Sequence, residues 1–295
     1  CTYSAKEFHV PASGTMAHSF IQSFPSEYEA FKAYAEIYPN DCTLLIDTYD
    51  TIHSGLPNAI RVFNDVLKPM GIRPKAVRLD SGDLAYLSKK VRTILDANGY
   101  PDCKICATNS LDEYLITSLL EQGAKIDSFG VGENLITAKS EPVFGGVYKL
   151  VALEENGKSI PKIKISETMA KITNPSFKKT YRFYDKDTHK ALADIIALSD
   201  EKIDPKEYTI FDEQNPWKKK TLTNYEVKPL QEKIFDHGNL IYTSPSLSDI
   251  ALYAKAQLDS MWDEVKRLEN PHTYYVDLSE DLWHLKKELL SQILS

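Results

Sequence analysis

The sequence predicts an α/β fold, with successive βα units in the first half and an α+β region in the second. Three observations carry this expectation. Short, nearly continuous apolar runs begin at Cys42, Lys75, Cys103 and Lys125, each followed by a polar loop; such runs are typical of strands buried on both faces. Stripes of apolar residues at helical spacing lie between them. Beyond residue 150 the pattern changes to paired strand-like runs around turn signals. The boundary is therefore drawn near residue 150, giving units 1–150 and 151–295.

The elements follow in order. Cys1–Val10 reads as the tail of a strand or loop that continues from something upstream. Cys42–Asp47 (CTLLID) is the first buried strand, and Leu56, Ile60, Phe63, Val66 and Leu67 mark a helix that Gly71 ends. Lys75–Asp80 is the second strand, with Leu84, Leu87, Val91, Ile94 and Leu95 on the helix behind it, closed by Asn98–Gly99. Cys103–Thr108 is the third, and Ser110 and Glu113 have the spacing of a reciprocal capping box for the next helix, which Gly123 ends. A fourth strand and loop begin at Lys125. Strand starts at 42, 75, 103 and 125 are separated by 33, 28 and 22 residues, steps that suit βα units of a parallel sheet or barrel.

In the second half, Asn156–Gly157 signals a hairpin, and Tyr181–Tyr184 and later short runs read as antiparallel strands. Two helices close the chain. Leu247, Ile250, Ala251, Ala254, Leu258, Met261, Val265 and Leu268 form one core stripe, and Leu282, Leu285, Leu289 and Ile293 a shorter one.

Composition narrows the function classes. The chain has 295 residues, of which 42% are hydrophobic and 26% charged, the profile of an ordinary globular protein of about two domains. No apolar run approaches the ~20 residues that cross a bilayer. The net charge of −7 opposes binding to nucleic acid and to anionic membranes. Lys218–Lys220 is the one compact basic run, read as a solvated surface turn. Cys1, Cys42, Cys103 and Cys106 are too few and scattered for a disulfide scaffold. Cys103 and Cys106, three apart on a strand, point to opposite faces and read as thiols of a reducing cytoplasm. No leader or transit composition is present, so the expected location is cytoplasmic.

In parallel βα architectures functional side chains gather where strands end. Those positions hold Asp47, Asp50, Arg78, Asp80, Ser81, Asp83, Asn109, Gly130, Gly132 and Glu133. The set is rich in carboxylates and hydroxyls with one fixed cation, which suits a sugar phosphate with Mg²⁺. Arg78 and Asp80, two apart on a strand, share a face; they make either a ligand-binding pair or an internal ion pair. Gly82 permits a tight turn that sets Asp83 at a helix N-terminus. Gly130 and Gly132 form either an anion nest of backbone amides or a plain turn, and Leu135 stands where a dinucleotide fingerprint needs glycine. His18, after Gly14–Thr15, is the most informative histidine, without the spacing of a metal site or of a Ser–His–Asp triad.

Taken together, the segments GTMAHSF (14–20), LIDTYDT (45–51), AVRLDSGDLAYLSKKVR (76–92), ATNSLDE (107–113) and FGVGENLITA (129–138) resemble the nicotinate phosphoribosyltransferase family, of the type II phosphoribosyltransferase fold. The likeness continues in order through VYKLVAL, KIKIS, KITNP, YRFYDKDTHKALAD, PSLSDI and NPHTYYVDLS, over essentially the whole chain. It implies a partial irregular (βα) barrel followed by an α+β region, here as the C-terminal portion of a family whose chains carry a further N-terminal region. It also implies transfer of 5-phosphoribosyl from its pyrophosphate to nicotinate, giving nicotinate mononucleotide and pyrophosphate, with ATP as co-substrate, Mg²⁺, and a homodimer in the complete protein.

By the same resemblance, His18 is the phosphorylated histidine and Asp80 holds the ribose and favours an oxocarbenium-like transition state. Thr15, Arg78, Ser81, Gly82, Asn109, Gly130, Gly132 and Glu133 bind substrate, with the two glycines and Asn109 at the 5-phosphate and Arg78 on the nicotinate carboxylate or a phosphate. Asp83 reaches Mg²⁺ through water. At position 176 this chain has Ser where the family is expected to have Gly, so a turn needing positive φ would be strained. Two alternatives stay open: a nicotinamide-specific relative, and a non-catalytic fragment that binds phosphoribosyl ligands.

Overall fold

The computed structural model describes residues 2–294, which divide into two compact units, one ending at Gly145 and the other starting at Gly146. The first contains α1 (Thr2–Phe8), α2 (His18–Gln22), α3 (Glu27–Ile37), β1 (Thr43–Leu45), α4 (Leu56–Val62), β2 (Ala76–Leu79), α5 (Leu84–Ala97), β3 (Lys104–Ala107), α6 (Glu113–Glu121), β4 (Ser128–Phe129) and α7 (Glu133–Ile136). The segment Thr2–Phe8, expected as strand or loop, is a helix without buried residues.

The four strands form one parallel sheet in the order β1-β2-β3-β4. Leu45 pairs with Arg78, Arg78 with Cys106, and Ala107 with Phe129. Leu44, Leu45, Val77, Leu79, Ile105 and Ala107 are fully buried, as the uninterrupted apolar runs require. β1 and β4 stand at opposite edges, so the sheet is open among the described residues. Helices pack on it through Phe31, Leu56, Phe63, Leu67, Val91 and Leu95.

The chain reverses where local chemistry demands it. The Asp50 carboxylate accepts the N–H groups of Ile52 and His53 at 2.9 and 2.8 Å and starts the helical stretch that includes α4. Gly71, at φ +72°, ends that stretch. Gly55 passes so close to β1 that a Cβ there would lie 1.8 Å from the Ile46 carbonyl oxygen. The capping expectation for α6 is corrected: Asp112, not Ser110, is the cap, accepting the Leu115 N–H at 2.7 Å. Ser110 instead has φ +49° in the loop before it.

The second unit contains β5 (Ala152–Glu155), β6 (Lys158–Pro161), β7 (Lys178–Asp185), β8 (Ala191–Leu198), β9 (Glu207–Phe211), β10 (Lys219–Thr223), β11 (Tyr225–Pro229), β12 (Phe235–Asp236), β13 (Asn239–Leu240), α8 (Leu247–Ser260), β14 (Val276–Leu278) and α9 (Glu280–Leu294). β5 and β6 form the expected hairpin, with Asn156 and Gly157 both at positive φ, as a primed turn needs. The main sheet has the order β11-β7-β8-β14, antiparallel except for β14. Phe183, Ala193, Ile195, Ala197, Ile210, Leu222 and Tyr225 make its core. Across β7 and β8 the Arg182 guanidinium forks onto the Asp194 carboxylate, with both bonds at 2.8 Å, and the Tyr274 hydroxyl donates to the same carboxylate at 2.8 Å.

Two expectations for this unit are corrected. α8 stops at Ser260, and Leu247, Ile250 and Leu258 on its stripe are exposed rather than core. Helical spacing marks an apolar face but does not say what covers it. Lys219 and Lys220 open strand β10 rather than a turn, although all three lysines are exposed.

Candidate active site

Parallel strands carry their functional side chains at their C-terminal ends because each loop there faces the same side of the sheet. The ends of β1, β2 and β3 accordingly bring together Asp47, Thr48, Arg78, Asp80, Ser81 and Thr108, and α2 begins beside them with His18. The imidazole lies between two partners: Nδ1 is 3.0 Å from the Thr48 hydroxyl oxygen and Nε2 is 3.5 Å from an Asp80 carboxylate oxygen. His18 and Asp80 are about one third exposed, so both are open to a ligand.

Asp80 is held from several sides. Its N–H donates to the Asp47 carboxylate at 2.8 Å, and the Ser81 hydroxyl donates to the same oxygen at 2.6 Å. The Thr108 hydroxyl donates to one Asp80 oxygen, and the Arg78 guanidinium stands 3.8 Å from that oxygen. Arg78 itself donates to the Met16 carbonyl at 3.2 Å. These bonds leave two polar atoms buried without a partner among the described residues: Arg78 Nε, a donor, and Asp47 Oδ1, an acceptor. Orphaned buried polar atoms are rare and costly, and each calls for an explanation such as a bound ligand, ion or water.

The remaining expected residues divide. The Thr15 hydroxyl is committed to the Thr43 carbonyl at 3.0 Å, which anchors the loop before His18 to the start of β1. Gly82, at φ +76°, makes the turn into α5, and Asp83 caps that helix by accepting the Tyr86 N–H at 2.9 Å. Asn109, at φ +96°, lies exposed just after β3. The expected pair of glycine amides is corrected for Gly130, whose N–H donates to the Ala107 carbonyl at 2.8 Å and continues the strand ladder. A Cβ at Gly130 would meet Thr108 Cγ2 at 2.6 Å, so this glycine serves close packing. Gly132 and Glu133 open the short helix α7 and are exposed.

Thr48 and Thr108 were absent from the sequence-derived candidates, and Asp47 was noted only as a strand-end acid. Their signal was positional, since all three sit just beyond a strand. Among the described residues no cluster of three or more His, Cys, Asp or Glu could hold a metal ion. The side-chain donors gathered at the strand ends are mostly oxygen atoms, the kind that would hold Mg²⁺ through its waters rather than in a dedicated protein cage. A concavity of about 510 Å³ in the second unit, lined by Phe211, Lys218–Lys220, Tyr274 and Asp277, contains none of these residues. No described helix is long and apolar enough to cross a membrane.

Residues 177–286 match the profile of the nicotinate phosphoribosyltransferase C-terminal domain. Nicotinate phosphoribosyltransferase of Bacillus subtilis is 47% identical over 99% of this chain, and that of Dictyostelium discoideum 36% identical over 94%. This chain spans 59% and 55% of their respective lengths. The crystal structure of human nicotinic acid phosphoribosyltransferase superposes with a TM-score of 0.78 at 26% identity, covering 98% of this chain and 64% of the human one. The chain belongs to the nicotinate phosphoribosyltransferase family.

Proposed function

We propose that the protein transfers 5-phosphoribosyl from phosphoribosyl pyrophosphate to the ring nitrogen of nicotinate, releasing pyrophosphate and forming nicotinate mononucleotide for NAD salvage. The observation that carries this reading is the His18–Asp80–Arg78 cluster at the strand ends, with its unpartnered Arg78 Nε and Asp47 Oδ1. In this reading unit 1 is part of the irregular barrel of type II phosphoribosyltransferases, and the complete protein is a cytoplasmic homodimer.

Departure of pyrophosphate leaves positive charge on the ribose ring. Asp80, fixed through its backbone by Asp47, holds the ribose hydroxyls and sets a carboxylate near that charge. Such a contact at ~4 Å is worth up to about 4 kcal/mol at an effective dielectric near 20, before desolvation. Arg78 orients the nicotinate carboxylate or a substrate phosphate, and a guanidinium suits either through paired N–H donors. Ser81 and Gly82 shape the loop around the ribose. Asn109 and Gly132 lie toward the 5-phosphate and Glu133 elsewhere on the substrate; Asp83 would hold a substrate-borne Mg²⁺ through water, where the ion would supply positive charge to the leaving pyrophosphate.

His18 accepts the γ-phosphoryl group of ATP. A neutral imidazole nitrogen is a competent phosphoryl acceptor, and the added negative charge beside Asp80 drives the surrounding loops apart by repulsion. The test is formation of nicotinate mononucleotide from nicotinate and phosphoribosyl pyrophosphate with Mg²⁺, with and without ATP. Product stimulated by ATP and lost in His18→Ala is the expected result. Product equally abundant with nicotinamide, or unaffected in the variant, would remove respectively the base preference and the role of His18.

A further inference from the structure

We infer that Thr48 is a positioning residue for His18: its hydroxyl holds Nδ1, so that Nε2 is the ring nitrogen presented to Asp80 and to the phosphoryl donor. The inference deepens the proposed function and rests on it. His18 begins α2 and Asp80 follows β2, so their separation depends on the loops that carry them. Both are tied to two consecutive residues at the end of β1. The Asp47 carboxylate accepts the Asp80 N–H at 2.8 Å, and the next side chain, Thr48, meets His18 Nδ1 at 3.0 Å. One step of backbone therefore sets the 3.5 Å between His18 Nε2 and Asp80.

A half-turn of the imidazole about its ring axis would exchange Nδ1 for a carbon and withdraw Nε2 from Asp80. The Thr48 bond opposes that flip. A hydroxyl also suits the task better than a carboxylate would, because it both donates and accepts. It donates to Nδ1 when Nε2 carries the proton toward Asp80, and it accepts from Nδ1–H when the Nε2 lone pair is free. A carboxylate at Nδ1 would serve only the protonated nitrogen and so would fix a single tautomer. In the transfer, the Nε2 lone pair forms the N–P bond to the γ-phosphorus. The bond from that phosphorus to the bridging oxygen breaks, its electron pair leaves with the nucleoside diphosphate, and the proton stays on Nδ1 against Thr48.

The test compares Thr48→Val, which keeps the shape and removes the hydroxyl, with Thr48→Ser, which keeps the hydroxyl. The ring nitrogens of His18 are read by long-range nitrogen–proton NMR on chain labelled in histidine, assigned by their loss in His18→Asn. In Thr48→Val the Nδ1 resonance moves and turnover falls by about 10²-fold with KM for nicotinate unchanged, whereas Thr48→Ser stays within about threefold of the parent. Thr48→Ala gives the same readings if valine disturbs folding. Parent-like ring nitrogens or parent-like turnover in the variants lacking the hydroxyl would overturn the role of Thr48. A parent chain that shows the hydrogen-bonded Nδ1 signal but forms no nicotinate mononucleotide would instead overturn the proposed activity.

Discussion

The carboxylate of Asp47 accepts the backbone N–H of Asp80 at 2.8 Å, so the acid at the end of one strand fixes the backbone of the acid at the end of its neighbour. β1 and β2 are parallel and paired in register at Leu45 and Arg78. The sheet itself thus delivers the two residues to the same level. Asp80 is then free to present its side chain to a ligand, because its backbone is already anchored.

This division of labour gives the first prediction. Asp80→Ala should reduce turnover by about 10²- to 10³-fold, the scale of removing one preorganised electrostatic contact. Its melting temperature should move by only a few degrees, since the Asp47 bond to the residue 80 backbone survives the change. Steady-state rates and thermal melts on the same preparation check both halves. Parent-like turnover would exclude Asp80 from the chemistry.

Gly55 predicts the opposite pattern. Its Cβ would sit 1.8 Å from the Ile46 carbonyl oxygen, a backbone atom that cannot move aside without breaking β1. Gly55→Ala should therefore cost more than about 3 kcal/mol, beyond ordinary overpacking. Urea unfolding would measure this as a large fall in the midpoint.

At Ser176, φ is +68°, the strained geometry foreseen for a serine in that turn. The Lys178 ammonium donates to the carbonyls of Asn174, Pro175 and Ser176 and holds the conformation in place. Ser176→Gly should stabilise by about 0.5–1 kcal/mol, the relief of left-handed strain less the added freedom of the unfolded chain. A rise of a few degrees in melting temperature is the expected reading.

Asp277 supplies a pH dependence. Burial, and secondarily the nearby Asp212 carboxylate, push its carboxyl up to about 6. The folded chain therefore binds a proton more tightly there than the unfolded chain does, and stability falls as pH rises from about 4 to about 6. Allowing for solvent screening at this partly buried group, the loss is about 1 kcal/mol. Asp277→Asn should flatten the stability profile over that window, measured by denaturant unfolding at pH 4, 5, 6 and 7.

The buried thiols of Cys42 and Cys103 are each pushed up to about 12 by desolvation. Both should resist alkylation at pH 8 in the native chain by at least about 100-fold relative to the unfolded chain. Peptide mass spectrometry after timed labelling reads this directly. Rapid labelling of native Cys103 would contradict its burial in the sheet.

Much of the fold was legible because its signals are local. Uninterrupted apolar runs marked β1, β2 and β3, and Gly71, Gly123 and Asn156–Gly157 marked ends and turns, since strand burial and positive φ are decided within a few residues. Where two local signals competed, the sequence was ambiguous. Ser110 and Asp112 both precede α6 with capping chemistry, and the conformation of the loop selected Asp112. The stripe on α8 was legible as a stripe, but its exposure was not.

The sequence by itself determined which residues end the strands and, through its family resemblance, the chemistry to look for at them. Only the tertiary structure decided which of these residues meet. Thr48 reached His18, Asp47 reached Asp80, and Thr108 closed on the same carboxylate, while the Gly130 amide was taken by the sheet. These contacts join residues about 20 to 35 apart along the chain, well beyond the reach of helical or strand periodicity. They depend on strand order and register, which arise only when the parallel sheet assembles.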